Sequence, residues 1–184
     1  MDDGPRPFNV SSHAMSNPSP ASLPPFFSVS IRKLIVMSFC TFGFYEPFWF
    51  YKHWVAIRTR TSADISPAAR TVFAFIFCYP LLKTIRDFGS SDDRRRLVPA
   101  AALTAEWVIT SMCWKLPGPY WWVSMFAVAF LVPAQAVANA ANKEACPQHG
   151  PNDEFTKWNW AVIVPVGLML VLALIGSFMP EPQV

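Results

Sequence analysis

Two carboxylates stand where carboxylates are costly. Glu46 interrupts the run LIVMSFCTFGFYEPFWFY at residues 34–51, and Glu106 sits inside the apolar stretch 97–116. An ionisable side chain in hydrocarbon costs about 3 kcal/mol even at the low end of the scale, so such a group faces protein or water. A proton- or ion-linked site between segments is the chemistry this pair would support. The plainer reading, which is preferred, puts Glu46 at an interface beside Tyr45 and Trp49, and pairs Glu106 with Lys115 or a neighbouring helix. A third polar feature is a stripe of amides. Gln135, Asn139 and Asn142 recur at i, i+4 and i+7, which is one face of a helix. The expectation is that they hydrogen-bond across helices rather than bind a ligand, with Asn159 completing the cluster.

Nucleophilic, metal and phosphate chemistry have little to build on. The four cysteines, at 40, 78, 113 and 146, are spread singly. Cys146 and His149 have a metal-like spacing, but two ligands fall short of the four, or three plus water, that zinc takes. The three histidines are scattered and no Gly-rich phosphate loop is present. No catalytic residue, metal ligand or cofactor is therefore assigned.

The elements that must position these residues are apolar and helical. Hydrophobic residues make up 53% of the chain and charged ones only 15%, against about 25% charged in an ordinary soluble domain. Residues 161–179 (AVIVPVGLMLVLALIGSFM) hold no charge and would cover roughly 28 Å as a helix, close to the hydrocarbon thickness. Trp158 and Trp160 precede this stretch, where indole rings favour a membrane interface. Residues 120–141 form a second candidate span and 97–116 a third, joined through Leu116-Pro117-Gly118-Pro119 as an antiparallel hairpin. Residues 34–51 and 71–82 are interrupted or short, and are read as full or partial spans. Ser66-Pro67 looks like a helix start before the second of these, and Asn152-Asp153-Glu154 like the cap of the last helix. The fold class is thus all-α: a polytopic helical membrane protein with three spans plus two amino-terminal hydrophobic segments.

Charge placement bears on how those two segments run. Twelve of the fifteen Lys and Arg residues precede Leu97, in clusters around Arg32 and Lys33, Lys52 to Arg70, and Lys83 to Arg96. The positive-inside rule would put all three clusters in the cytoplasm. Two complete crossings would strand the middle cluster outside. Two segments that dip in and return would not, and this arrangement is preferred over five crossings. A net charge of +3, with clusters flanking apolar segments, argues for anionic lipid contact and against nucleic acid. Residues 1–27, rich in Pro and Ser, are expected to be a disordered tail without a signal-peptide pattern. The helical membrane domain would cover 28–180, and 181–184 a short tail.

The stretch RKLIVMSFCTFGFYEPFWFYKHW at 32–54 resembles an uncharacterised family of small bacterial inner-membrane proteins. The likeness continues in DISPAARTVFAFIFCYPLLKTI at 64–85, LPGPYWWVSMFAVAFLVPAQAVANAAN at 116–142, NDEFTKWNW at 152–160 and ALIGSFMP at 173–180. It covers most of the chain beyond the tail and implies a membrane location and a shared topology. Pro47 stands where relatives often carry an aromatic or aliphatic residue, which would sharpen a bend there. The resemblance implies no activity and carries over no catalytic residue.

Three function classes remain. The first, which is preferred, is a non-enzymatic membrane component that binds lipids, a protein partner or a second copy of itself. The second is a small transporter or channel component using Glu46, Glu106 and the amide stripe. A lipid-modifying enzyme is the third, and it lacks the convergent His, Asp or Glu groups it would need.

Overall fold

The computed structural model describes residues 23–88 and 96–179, and among these the regular secondary structure is helical, with no strand. Helices α1 (Ile31–Cys40) and α2 (Tyr45–Thr61) occupy the first hydrophobic segment, and α3 (Pro67–Val72) and α4 (Ala74–Phe88) the second. Helix α5 (Ala100–Met112) ends in a tight turn at Cys113–Lys115. A 3-10 helix (Gly118–Phe130) then runs into α6 (Val132–Ala145), and α7 (Lys157–Ser177) closes the described chain.

The first segment breaks because its helix is capped in mid-run. Thr41 ends α1, Phe42 adopts a left-handed φ of 51° and Gly43 follows at 82°. The Gly43 amide bonds the Ser38 carbonyl at 2.8 Å and the Phe42 amide the Phe39 carbonyl at 3.2 Å. These are the two bonds of a Schellman motif, in which the left-handed position is normally glycine. A phenylalanine there costs about 1–2 kcal/mol in backbone strain. The Thr41 hydroxyl donates back to the Met37 carbonyl at 2.7 Å and accepts the Tyr45 amide at 2.9 Å, so it closes one helix and opens the next. Pro47 is then the third residue of α2, where an amide needs no intrahelical partner. In the second segment Ser66 caps α3 by accepting from the Ala69 amide at 3.3 Å, and Pro67 takes the first position. The helix interrupts at Phe73, and α4 continues to Phe88 with Pro80 inside it.

A set of contacts gathers many termini at one end. The Arg60 guanidinium, at the end of α2, lies 5.2 Å from the ring of Phe88, at the end of α4. Phe88 meets Phe26 edge-on at 5.2 Å, and the Phe26 amide bonds Asn142 near the end of α6 at 2.9 Å. Ser30, the cap of α1, bonds the Asn152 carbonyl at 3.1 Å, just ahead of α7. At the opposite end, Phe42 stacks on Trp121 and the Trp121 indole donates to Ser177 at 3.0 Å. Helices α1 and α2 therefore form a hairpin that enters and leaves at the same end, and α3 and α4 form a second. The amino-terminal segments are broken helices.

Two helical stretches are long and apolar enough to cross a membrane, Tyr120–Ala145 and Lys157–Ser177. The third expected span, 97–116, is shorter than that: α5 has 13 residues, followed by a three-residue turn. Through the 3-10 helix the buried side chains Met125 and Val128 fall three residues apart, followed by Leu131, as a three-residue turn requires. Helix α7 is the most exposed apolar element. Only 6% of its most hydrophobic window is buried, and Val164, Leu168, Met169, Leu172 and Ile175 all point outward.

The core lies between the hairpins, α5 and α6, around Trp49, Phe50, Trp54, Leu81, Leu82, Ile85, Leu131 and Val137. Trp54 is covered by the Arg70 guanidinium at 4.3 Å, a cation–π contact between α2 and α3. Phe26 and Phe27 fall within the expected tail of 1–27, yet Phe26 is 2% exposed and belongs to this core, and Phe27 packs against it. The first 22 residues and 180–184 lie outside the described residues, as do Arg94 and Arg95.

Candidate functional site

Glu46 is in the second position of α2, one turn after the Schellman break, and the break turns its side chain inward. It is buried within the chain, 5% exposed. Its Oε2 accepts the indole N–H of Trp107, on α5, at 2.7 Å. No Lys, Arg or His forms an ion pair with it among the described residues. Trp107 in turn packs between Phe50 at 5.0 Å and Phe75 at 5.3 Å. Three elements thus fix one carboxylate: the start of α2, the middle of α5 and the start of α4.

Glu46 lines a cleft of about 520 Å³. Its walls come from the turn of the first hairpin and the start of α2 (Phe42, Phe44, Pro47), the turn of the second (Val72, Phe75), the end of α5 and the turn after it (Ser111, Trp114), and the 3-10 helix (Trp121, Ser124). The buried rings of Phe50 and Trp107 lie beside the carboxylate, whereas Phe44 and Trp114 are largely exposed. This is the size and make-up of a small-molecule site: mostly apolar, with a few polar groups. The strained Phe42 contributes its ring to the same wall, and such strain collects at functional sites.

Glu106 does not join it. Adjacent residues on an α-helix point about 100° apart, and with Trp107 buried against Glu46, Glu106 is exposed. It pairs neither with Lys115 nor with any other described residue. The two glutamates therefore do not form the shared site of the alternative reading, because they differ in position around α5 and α2.

The amide stripe is brought together: Gln135 bonds across to α2, and all three amides also bond the main chain of residues 26–29. Gln135 sits at the centre of a buried network. Its Oε1 accepts the Trp49 indole at 2.6 Å and lies 3.1 Å from Nε2 of His53. Its Nε2 donates to the Phe27 carbonyl at 3.1 Å and to Asn139 at 2.8 Å. Asn139 donates to the Val29 carbonyl at 2.8 Å. Asn142 bonds both the amide and the carbonyl of Phe26, at 2.9 and 3.0 Å. The stripe thus reads an extended backbone of four residues, 26–29, that cannot satisfy its own polar groups without a partner. Asn159 lies elsewhere, accepting from the Thr156 amide at 3.0 Å in a capping box that starts α7. Thr156, not Asn152, is the cap of that helix.

Asn152 instead faces the other side of the same extended segment. Its amide bonds the Ser28 carbonyl at 3.3 Å, giving an isolated parallel bridge between Val29 and Asn152. Lys33, 3% exposed, donates to the Asn152 side chain at 3.0 Å and to the Glu154 carbonyl at 2.6 Å. Asp153 accepts from Ser30 and pairs with Arg32 at 2.9 Å. The Ser30 hydroxyl above all, and then the Arg32 charge, hold its carboxyl below the usual Asp range. Cys146 and His149 share a turn, the His149 amide bonding the Cys146 carbonyl at 2.9 Å. Among the described residues no three His, Cys, Asp or Glu side chains cluster as metal ligands would.

No protein-family model, no curated protein and no solved structure shows a significant match to this chain. Its function is therefore argued from its own geometry.

Sequence reasoning missed Trp107, Trp49, His53 and Lys33. The i, i+4 spacing of Trp49 and His53 places them on one helical face. Nothing local marks Trp107 as the partner of a residue 61 positions away.

Proposed function

We propose that this chain is a non-enzymatic, multi-pass component of a bacterial inner membrane. In this reading three elements cross the bilayer, at 97–116, 120–145 and 157–177. The two helical hairpins of the amino-terminal half enter from the cytoplasmic face and return to it. That face then carries Arg32, Lys33, Arg58, Arg60, Lys83 and Arg86, and it meets anionic head groups or a partner protein. The observation that carries the reading is the joining of Arg60, Phe88, Phe26 and Asn142 at one end, while α7 leaves its apolar side chains uncovered. Lipid is the solvent that such a surface accepts, and a cationic residue near an anionic leaflet gains about 1 kcal/mol.

Single-cysteine variants at Ser62, Leu116 and Asn152, in a background without the native cysteines, test the topology in intact cells. A membrane-impermeant thiol reagent is expected to label position 116 alone. Labelling at 62 from outside would mean five crossings, with the middle basic cluster outside, and would overturn the proposal.

A further inference from the structure

We propose that the aromatic cleft is a binding site for a free lipophilic monocation, with Glu46 as its counter-ion. This goes beyond the topological reading, because the cleft is defined by side-chain contacts whichever end faces the cytoplasm.

Charge sets the sign of the ligand. Glu46 is the only charged residue among the sixteen that line the cleft. The one hydrogen bond to its carboxylate among the described residues comes from the Trp107 indole, on Oε2. A buried carboxylate keeps its charge only beside a cation, and otherwise holds a proton, so a cationic ligand is the partner that an ionised Glu46 would take. The walls agree. Seven of the sixteen lining residues are aromatic, among them Phe50, Phe75, Trp107, Trp114 and Trp121. Aromatic faces attract cations within about 6 Å, and several rings around one carboxylate form a cage for an ammonium, phosphonium or similar ion.

Size and polarity narrow the class. A cleft of about 520 Å³ is drug-sized, and its apolar lining calls for an apolar or aromatic body around the charge. A zwitterionic phospholipid head group carries a phosphate beside its ammonium, and no Lys or Arg lines the cleft to receive one. The fit is therefore to a cation without an attached anion. Thr71, Ser111 and Ser124 add neutral hydrogen-bonding groups but no second charge. Glu106, exposed elsewhere on α5, takes no part.

Tetraphenylphosphonium and tetraphenylborate have nearly the same size and shape and opposite charge, which makes them the decisive pair of probes. The full chain, in nanodiscs of zwitterionic lipid, is titrated with each by equilibrium dialysis, and empty nanodiscs are subtracted. The expected result is one saturable site per chain for tetraphenylphosphonium and none for tetraphenylborate. Glu46→Gln keeps an acceptor for Trp107 but removes the charge, and should weaken binding at least tenfold. Ser111→Phe fills the cleft and leaves the carboxylate, and should abolish saturable binding even if Glu46→Gln fails to fold. Absence of a saturable site in the wild-type chain would overturn the proposal. So would equal uptake of the anion, or unchanged binding in folded Glu46→Gln or in Ser111→Phe.

Discussion

Cys40, the last residue of α1, packs beside Gly167, midway along α7: a Cβ placed on Gly167 would lie 3.9 Å from the Cys40 sulfur. Helix α1 therefore ends about halfway along α7, and the Phe42 ring beyond it reaches on towards the far end through Trp121. This depth is testable by cross-linking. In a chain whose other cysteines are serine, Gly167→Cys should oxidise with Cys40 to an intramolecular disulfide, seen as a mobility shift on non-reducing gels. Val171→Cys, one turn further along and exposed, should not. A strong Val171→Cys cross-link would place the end of α1 further along α7 and contradict this packing.

The buried amide Gln135 should be among the most sensitive positions. Gln135→Leu strands the Trp49 indole and the Phe27 carbonyl and breaks the link to Asn139. Each stranded buried group costs about 1–3 kcal/mol, so a loss of about 3 kcal/mol or more is expected in a denaturant titration. Amide exchange at residues 26–29 should rise as well, because Gln135 holds that segment. Unchanged exchange there would mean that Asn139 and Asn142 hold it alone.

Two buried tryptophans of α2 should respond differently to the same change. Trp49 donates to Gln135, whereas the indole N–H of Trp54 has no hydrogen-bond partner among the described residues. Trp49→Phe loses a bond and leaves part of the Gln135 acceptor unfilled, for about 1–2 kcal/mol beyond the change in volume. Trp54→Phe removes an unpaired donor and should cost less, since a ring remains under Arg70. Thermal midpoints of the two variants in one detergent check the order, and a reversed order would contradict the hydrogen-bond assignment.

The docking of residues 28–33 on 150–154 should depend on acid. The Asp153 carboxyl titrates below its ordinary value of 3.8 in the folded chain, mainly because Ser30 donates to it and then because of Arg32. A depressed carboxyl contributes its stabilisation above the unfolded value and loses it as pH falls through the folded one. Amide exchange in 28–33, corrected for the intrinsic rate, should stay constant from pH 7 to 5. It should quicken only below about 4, close to the ordinary Asp value. Asp153→Asn should exchange faster at neutral pH and show no further acid step. An acid step that persisted in Asp153→Asn would assign the effect to another group.

The sequence by itself determined the helical class, the two long apolar stretches, the break near Gly43 and the helix start at Ser66-Pro67, but not the break at Phe73. Those that it did determine are set by near neighbours: an apolar run of fixed length, Ser66 before Pro67, and Gly43 after Phe42. It also marked Glu46 and the stripe Gln135, Asn139 and Asn142 as polar groups that need partners, because spacing on a helix is a local property. Which partners they find is decided by long-range packing. Trp107 reaches Glu46 across 61 residues and Asn142 reaches Phe26 across 116, and no periodicity encodes such distances. The same packing separates Glu106 from Glu46, since burying Trp107 on one side of α5 leaves its neighbour about 100° away. It also draws Phe26 and Phe27 out of the expected tail, because the extended backbone that carries them satisfies its polar groups on amides supplied by α6.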